Sequence, residues 1–469
     1  MNSAPQNNQS LESASPQQAH DAMRQALRDA TEAHQQALHL LHQTETAYGR
    51  LIPSQLLTLL DRTSIVDLKL GDQVERKLTI MFSDIRNFTP LSESMTPGEN
   101  FEFINSYLSQ MEPVVSDHHG IIDKYMGDTI MALFLQGADV ALAGSIAMLE
   151  KLIHYNAGRA RAGYVPINIG IGLNTGMVMI GTVGGDNRMD STVIGDAVNL
   201  TSRIEEATKT YHAPLLISQN TLYDLTDPAK YDIRFVDRIR VKGKTQPLSV
   251  YEVFDNDTPT LRNAKRASKL KFEQALAYYH LKEIPRAIEL LNECIEIAPT
   301  DIPAHIYLAR CDDYLATGQH ISTGELDNGM EWRVEFQLGL KEIDKAHRLL
   351  FNAVNAFLTN PNKADRAVLS DLFDFLTTHT STHFPTEENL MRRYNYPFLD
   401  SHLQEHRRFV ENFTALQTES EEAESDLMYL SFRIQFLLFD WFTGHLAKTD
   451  RHMGRYLLNA MLSQSGPAV

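Results

Sequence analysis

The sequence lacks the features of membrane, secreted and disulfide-stabilised proteins. No apolar run approaches about 18 residues, so no transmembrane helix is predicted. The N-terminus has no basic stretch followed by an apolar one, which is the pattern of a signal peptide. Cys294 and Cys311 are the only cysteines, which argues against structural disulfides and indicates a reducing compartment. We therefore expect a cytoplasmic protein.

Positive charge is also scarce. The chain has 43 Lys and Arg against 60 Asp and Glu, which gives a formal net charge of −17. Because nucleic-acid binding needs a basic face, nucleic acid is not expected as a partner. A negative total still leaves room for a local basic pocket for one nucleotide. The length of 469 residues and a hydrophobic content of 43% predict roughly two to four globular domains.

The most informative stretch is residues 78–134. Leu78 begins a short apolar run that stops at Asp84, as a buried strand would. Two further apolar runs flank Gly127 and Asp128, which is typical of a tight hairpin turn. Two strands that end in carboxylates can bring Asp84 and Asp128 together to hold two hard cations, with nucleotide phosphates completing their ligands. Backbone amides after Asp84 can cradle phosphate.

Four ordered motifs, FSDIRNFT, KYMGDTIMALF, GLNTGMVMIGTVG and VIGDAVNLTSRIE, resemble the class III nucleotide cyclase domain, and we assign residues 75–256 to it. The resemblance implies a ferredoxin-like fold with an antiparallel sheet and helices on one face. It also implies a head-to-tail homodimer whose active sites are shared, each with two Mg²⁺ or Mn²⁺ ions. The predicted elements are strand 78–83, helix 97–118, hairpin 120–134, helix 138–158, hairpin 167–181, helix 196–208, and strands near 214–217, 232–241 and 248–254.

The resemblance assigns roles to residues in these motifs. Asp84 and Asp128 would bind the two metal ions, and Ile85 would lend its backbone carbonyl. Asn199 would orient the ribose and Arg203 would neutralise charge developing on the phosphates. These two lie four residues apart, and therefore on one face of a helix.

Base selection is predicted from two positions that match the family pattern. Lys124 with Thr192 favours adenine, whereas Glu with Cys at these positions reads guanine. Thr192 departs from the Asp of the mammalian pattern, so a guanylyl cyclase of the same architecture is an alternative. Lys242 matches a further lysine that contacts phosphate.

The segments around this domain have simpler patterns. Residues 1–16 are polar and predicted to be disordered. Residues 17–74 carry a heptad-like, mostly alanine stripe, which we interpret as a dimerisation and transducer helix; packing of that helix on its own domain is the alternative. A linker at 255–263 leads into residues 261–320, which resemble a tetratricopeptide repeat and part of another. A helical spacer is favoured there over a groove for a protein partner.

The C-terminal part, residues 330–462, resembles the hemerythrin domain, an antiparallel four-helix bundle. The motifs are HFPTEENLM, HLQEH and DWFTGHLAKTD, after a first helix that holds one histidine. The resemblance implies two iron ions: one bound by three histidines, the other by two with an open position for O₂ or another small diatomic ligand, and both bridged by two carboxylates. The matching residues are His402, His406 and His445 for the first iron, His347 and His383 for the second, and Glu387 and Asp450 for the bridges.

His379 lies four residues before His383 and competes with it for this assignment. Only His383 is followed by a glutamate four residues later, so we interpret His379 as a helix-face residue. Residues four apart share a helix face, which places both His383 with Glu387 and His402 with His406 toward one core.

The sequence thus predicts a multidomain protein that combines α+β and all-α domains. The expected enzyme is an adenylyl cyclase, which converts ATP into 3′,5′-cyclic AMP and pyrophosphate by two-metal catalysis in a homodimer. Regulation by O₂ or redox state at the diiron site is expected. The alternatives are a guanylyl cyclase or a catalytically inactive module that binds O₂ or iron.

Overall fold

The computed structural model describes residues 16–49, 54–62, 64–185, 188–240, 247–319 and 330–464. The chain divides into two compact units, one of residues 1–74 with 180–192 and one of residues 75–179 with 193–469. The predicted disorder of residues 1–16 lies outside the described residues, except that Pro16 begins the first helix. Within the described part of the chain, no helix is long and apolar enough to cross a membrane.

The first unit begins with helices α1 (Pro16–Gly49) and α2 (Ser54–Leu59), followed by a 3₁₀ turn at Ile65–Asp67. The described side chains of α1 between His20 and Ala47 are all exposed, including Met23 and Leu27.

A single sheet forms the centre of residues 73–253. Its strands run in the order β2-β3-β1-β4-β6-β8-β7, and β5 pairs with β4. The expected antiparallel sheet is in fact mixed, because β4 and β6 are parallel, with Ile171 opposite Leu215. The strands are β1 (Gln73–Ile85), β2 (Gly120–Met126), β3 (Thr129–Phe134), β4 (Ile169–Gly185), β5 (Arg188–Ile194), β6 (Leu215–Ser218), β7 (Ile233–Arg240) and β8 (Pro247–Val253).

Five helices accompany the sheet: α3 (Phe88–Glu93), α4 (Pro97–Asp117), α5 (Ala138–Arg161), α6 (Asp196–Tyr211) and α7 (Gln219–Asp224). The start of α4 follows directly from the sequence, since Thr96 and Glu99 cap each other's backbone amides and Pro97 occupies the first turn. Apolar side chains of α4 and α5 pack with Met81 and Ala132 of the sheet into one core.

The hairpin predicted for residues 167–181 is wrong, because β4 continues unbroken through them. Its glycines permit close packing instead of a turn. A Cβ on Gly172 would lie 2.4 Å from the backbone nitrogen of Glu205 on α6, and one on Gly181 would lie 2.5 Å from the carbonyl oxygen of Asp72. Neither glycine has a positive φ.

Three helices, α8 (Pro259–His280), α9 (Ile284–Ile297) and α10 (Ile302–Thr317), form the segment after the sheet. α8 begins within the segment expected to be a linker. Phe235 of β7 lies in the same core as the apolar residues of these helices. The fully buried guanidinium of Arg234 joins Glu252 of β8 to Asp301 at the start of α10, with N–O distances of 2.6 Å. The segment is therefore fixed to the sheet.

The last region is the four-helix bundle. Its first three helices are α11 (Lys341–Leu358), α12 (Arg366–Arg393) and α13 (Leu399–Glu421). The fourth consists of α14 (Leu427–Asp440), a π-helical segment (Trp441–Asp450) and α15 (Arg451–Gln464). Short connections between successive helices give an antiparallel bundle. Phe432 and Phe436 of α14 pack against Phe235, which extends the core from the bundle to the sheet.

Candidate functional sites

The first candidate site is a pair of carboxylates at the end of β1 and in the turn between β2 and β3. Asp84 accepts a hydrogen bond from Thr129 Oγ1 at 2.9 Å. Asp128 accepts one from the backbone amide of Ile85 at 3.2 Å. The hairpin therefore brings together the three residues expected to bind metal, Asp84, Ile85 and Asp128.

The two carboxylates have different electrostatic environments. Lys209 Nζ donates to Asp84 Oδ2 at 2.9 Å. Burial opposes ionisation of Asp84, but the hydrogen bonds that it accepts from Lys209 and Thr129, with its contact to Asp128, keep its pKa below the ordinary value. Burial, with the neighbouring Asp84, raises the pKa of Asp128 to about 7. Two adjacent carboxyl groups that share one proton are a suitable donor set for a hard divalent cation.

The proposed transition-state pair lies on α6, the helix that also carries Lys209. Asn199 and Arg203 are both exposed, and Arg203 contacts Glu206 at 3.6 Å. At about 1.5 Å per residue, they lie roughly 15 and 9 Å along the helix from Lys209. At about 100° per residue they also face a different side of the helix from Lys209. The pair is therefore exposed on α6, on a different side of the helix from the lysine that contacts Asp84.

The three remaining predicted substrate contacts are in separate parts of the chain. Lys124 lies on β2, and its Nζ is 3.3 Å from the carboxylate of Asp123. Thr192 lies on β5, in the first unit. Lys242 lies outside the described residues.

The second candidate site is a buried cluster in the bundle. All seven residues predicted as iron ligands lie in it, and each is at most 6% exposed. They form two groups whose ligand atoms lie within 4.8 Å of one another: Glu387 with His402, His406, His445 and Asp450, and Glu387 with His347 and His383. The fold therefore brings together, from all four helices, the residues that the resemblance implied.

Glu387 lies between the two groups. Its Oε1 is 3.5 Å from His347 Nε2 and 3.4 Å from His383 Nε2. Its Oε2 is 3.7 Å from His402 Nε2 and 3.4 Å from His406 Nε2. One oxygen thus faces the two-histidine group and the other faces the three-histidine group.

Asp450 repeats this arrangement. Its Oδ2 is 3.3 Å from His347 Nε2. Its Oδ1 is 3.3 Å from His402 Nε2 and 3.0 Å from His445 Nε2. Two carboxylates that each turn one oxygen to each histidine group can bridge two ions.

Local structure explains how His445 and Asp450 meet. Residues five apart in an α-helix would face directions about 140° apart. Here both belong to the π-helical segment, whose i→i+5 pattern brings such residues to the same side. Aromatic rings fix two imidazoles, because Trp441 stacks on His445 and Phe384 on His406, both at 3.8 Å between centroids.

Three partners of the imidazoles were not identified from the sequence. The Nδ1 atoms of His347, His406 and His445 lie 3.0 Å from the Phe336 carbonyl oxygen, 3.3 Å from Glu388 and 2.8 Å from Glu405. A proton on Nδ1 would leave Nε2 free to bind a metal. Glu388 and Glu405 stand next to predicted ligands in the chain, yet spacing alone does not show which way they turn.

Buried polar atoms without hydrogen-bond partners indicate the kind of group that this cluster can hold. Both oxygens of Glu387, both oxygens of Asp450, and Nε2 of His347 and of His445 are buried, and no hydrogen-bond partner for them exists among the described residues. Buried polar atoms without partners are costly, so such a group needs a reason. Burial opposes ionisation of Glu387, but nearby His383 and the other imidazoles lower its pKa well below the ordinary value. Bridging carboxylates and free imidazole nitrogens fit a two-metal centre.

His379 differs from the expected helix-face residue, because it is buried at 7% exposure. Its ring lies 4.9 Å from that of His383 and stacks on Phe375. It belongs to neither ligand group. Burial, with the neighbouring His383, lowers its pKa to about 3, so its imidazole is neutral.

Two family models match this chain. Residues 71–254 match the model of the adenylate and guanylate cyclase catalytic domain. Residues 338–457 match the hemerythrin HHE cation binding domain. The chain therefore carries a cyclase catalytic domain followed by a hemerythrin domain, in a multidomain α+β and all-α architecture.

Individual relatives match the cyclase part and its surroundings. An adenylate cyclase of Anabaena cylindrica is 39% identical over 50% of this chain and 47% of its own length. A terminal-differentiation specific adenylate cyclase of Dictyostelium discoideum is 35% identical over 60% of this chain and 13% of its own length. The crystal structure of the guanylyl cyclase Cya2 is 32% identical, with a TM-score of 0.36, over 40% of this chain and 95% of that one. The chain thus spans less than half of the length of these two curated relatives.

Proposed function

We propose that this protein is an adenylyl cyclase that converts ATP into 3′,5′-cyclic AMP and pyrophosphate. The observation that carries the proposal is the pairing of Asp84 and Asp128 at adjoining strand ends, inside a domain that matches the cyclase family model. The Anabaena and Dictyostelium relatives are both named adenylate cyclases, which supports ATP as the substrate.

In this proposal, Asp84, Asp128 and the Ile85 carbonyl hold two Mg²⁺ or Mn²⁺ ions. Such ions activate the ribose hydroxyl and stabilise charge on the reacting phosphate. Lys209 Nζ lies 2.9 Å from Asp84 Oδ2, so Lys209 must move away from this oxygen when a cation binds there. The chain's own contribution is to position substrate and to neutralise charge.

The active site is shared between two copies of the chain. Asn199 and Arg203 are exposed and lie apart on α6 from Lys209, which contacts Asp84, so in this proposal a second chain presents its pair to the carboxylates. Arg203 suits this role because a guanidinium remains charged and binds phosphate oxygens with a planar fork. The exposed side chains of α1 support a dimer helix in the segment 17–74.

Lys124 and Thr192 select adenine, and Lys242 contacts phosphate. A lysine donor and a hydroxyl can satisfy the N1 atom and exocyclic amine of adenine, whereas guanine would favour a carboxylate. GTP is the alternative substrate, because Thr192 is not the aspartate of the mammalian pattern.

In the bundle, residues 330–462, we propose that each of the two ligand groups holds one iron ion. His402, His406 and His445 would hold one ion and His347 and His383 the other, while Glu387 and Asp450, which face both groups, would be shared between them. When bound, iron would offer a position for O₂ or another diatomic ligand and would change oxidation state. We propose that this state regulates the cyclase domain, residues 75–256, across the helical segment 261–320.

Turnover by the purified protein with Mg²⁺ or Mn²⁺ tests the proposed enzyme. Cyclic AMP should form from ATP faster than cyclic GMP forms from GTP, and Asp84→Ala should abolish both reactions. Lys124→Glu with Thr192→Cys should shift the preference toward GTP. Faster cyclic GMP formation by the wild type would overturn the base assignment, and turnover by Asp84→Ala would overturn the metal site.

A further inference from the structure

The first half of β1 is held by the bundle, far from the carboxylates at its other end. Lys77 Nζ donates to Ser401 Oγ of α13 at 3.0 Å and lies 3.8 Å from Glu405 Oε1 of the same helix. Two residues earlier, Glu75 Oε2 lies 2.8 Å from His452 Nε2 of α15. We call these five residues, Glu75, Lys77, Ser401, Glu405 and His452, the β1 clasp.

Glu405 has a second contact, inside the bundle. Its Oε2 is 2.8 Å from Nδ1 of His445, whose Nε2 points to Asp450 at 3.0 Å. A carboxylate that accepts the Nδ1 proton fixes the orientation of a metal-binding histidine and raises the basicity of its other nitrogen. One carboxylate thus touches a proposed iron ligand with one oxygen and approaches the cyclase domain with the other.

The strand reached by this contact leads to the proposed catalytic metals. Lys77 lies seven residues before Asp84, which is roughly 23 Å along an extended strand. Its Nζ is also 3.1 Å from Asp224 Oδ1 at the end of α7. The other oxygen of Asp224 accepts from the Ala138 amide at the start of α5, at 3.1 Å. Lys77 therefore joins the bundle to three elements of the cyclase domain.

A second contact and a cavity adjoin the β1 clasp. His452 Nδ1 is 2.7 Å from the hydroxyl of Tyr396, whose ring lies edge-on to His402 at 6.3 Å. A cavity of about 420 Å³ adjoins Lys77, Glu405 and His402. These side chains have room to rearrange without repacking of the core.

We propose that Glu405 and Lys77 are positioning residues that couple His445 to strand β1. The state of the iron pair then alters how firmly the bundle holds the strand that ends at Asp84. This inference rests on the proposed iron site and regulation. Because coupling between two sites is reciprocal, loss of the Lys77 charge must also change the properties of the iron pair. That reciprocity allows a test that does not depend on cyclase activity.

The test is the rate at which the diferrous protein oxidises in air, followed by its absorption spectrum. Lys77→Met should bind as much iron as the wild type but oxidise at a rate changed by roughly two- to fivefold, the range expected for a partly exposed ion pair. Lys271→Met is the matched control, since it removes a lysine that pairs with Glu293 in the spacer, and should oxidise like the wild type. Lys77→Arg keeps the charge and should restore the wild-type rate.

A double variant shows whether the two residues act together. Glu405→Gln should change the oxidation rate more than Lys77→Met, because it also weakens the hydrogen bond to His445. Adding Lys77→Met to Glu405→Gln should change the rate no further, since contacting residues are not additive. An oxidation rate of Lys77→Met equal to that of the wild type, at equal iron content, would overturn the coupling.

Cyclic AMP formation then separates this inference from the proposed function. Equal cyclic AMP rates in all iron states of the wild type would contradict the proposed regulation, while the oxidation rates would still decide whether Lys77 is coupled to the iron pair. Where the wild type does respond to the iron state, Lys77→Met should respond less and Lys271→Met should respond fully. An unchanged response in Lys77→Met would count against the coupling.

Discussion

Replacement of Arg234 by methionine should destabilise the junction between the sheet and the helical segment 261–320. Arg234 is 1% exposed, and its guanidinium makes two hydrogen bonds of 2.6 Å to Asp301 and one of 2.7 Å to Glu252. Methionine fills much of the same volume but leaves the Asp301 carboxylate buried without its cation. Breaking one partner of a buried ion pair costs about 3–5 kcal/mol, and we expect a loss of this size in the free energy of unfolding.

Urea denaturation followed by the fluorescence of Trp332 and Trp441 measures this loss. Arg266→Met is the matched control, because Arg266 is an exposed arginine whose ion pair to Asp232 should contribute little to the free energy of unfolding. Asp301→Asn added to Arg234→Met removes the uncompensated charge and should recover part of the stability. Equal midpoints for Arg234→Met and Arg266→Met would refute the argument that this buried network holds the two regions together.

Two further predictions concern the catalytic domain. Burial, with the neighbouring Asp84, raises the pKa of Asp128 to about 7, so a proton competes with a cation for this carboxylate below that pH. The affinity of the iron-loaded protein for Mn²⁺ should therefore rise about tenfold from about pH 6 to about pH 8, and calorimetry measures it. Asp84→Ala and Arg203→Ala chains, each inactive alone, should regain cyclic AMP formation when mixed, because one of the two sites in the mixed dimer keeps both its carboxylates and its arginine.

A different result would contradict each of these two predictions. If the affinity of the wild type for Mn²⁺ does not change across this pH range, no proton competes at Asp128 and the prediction is contradicted. Asp128→Asn is the control, and its affinity should not depend on pH in this range, because it lacks the carboxylate that takes up the proton. Mixed dimers isolated with two different tags but devoid of activity would contradict a site shared between chains.

Part of the candidate metal site in the bundle could be predicted from the sequence because some of its residues lie at short helical spacings. Residues four apart on a helix share a face whatever surrounds them, so His402 with His406 and His383 with Glu387 follow from helix geometry. The approach of both groups to Glu387 and Asp450 required the resemblance to a bundle as well. By contrast, Glu405 approaches Lys77 over a separation of more than 300 residues, and no local pattern marks that contact.

The errors in the fold have similar causes. The hairpin predicted for residues 167–181 is replaced by a strand whose glycines allow Glu205 and Asp72 to approach it, and local propensity does not predict such tertiary contacts. The sequence marks His379 only as a helix-face residue, because it lacks a glutamate four residues later. Its burial depends on the packing of Phe375 and His383 around it.

The proposed regulation requires that the iron pair set the rate of cyclic AMP formation. The most direct measurement is that rate in one preparation held in the diferrous, O₂-exposed and diferric states, at fixed ATP and Mg²⁺ and with iron content verified by absorbance. A variant with His402→Ala and His406→Ala provides the iron-poor control. We predict that the rates of at least two states differ about fivefold or more, in the range of ordinary coupling between sites, and that the control does not respond. Equal rates in all three states of the iron-loaded wild type would contradict the claim.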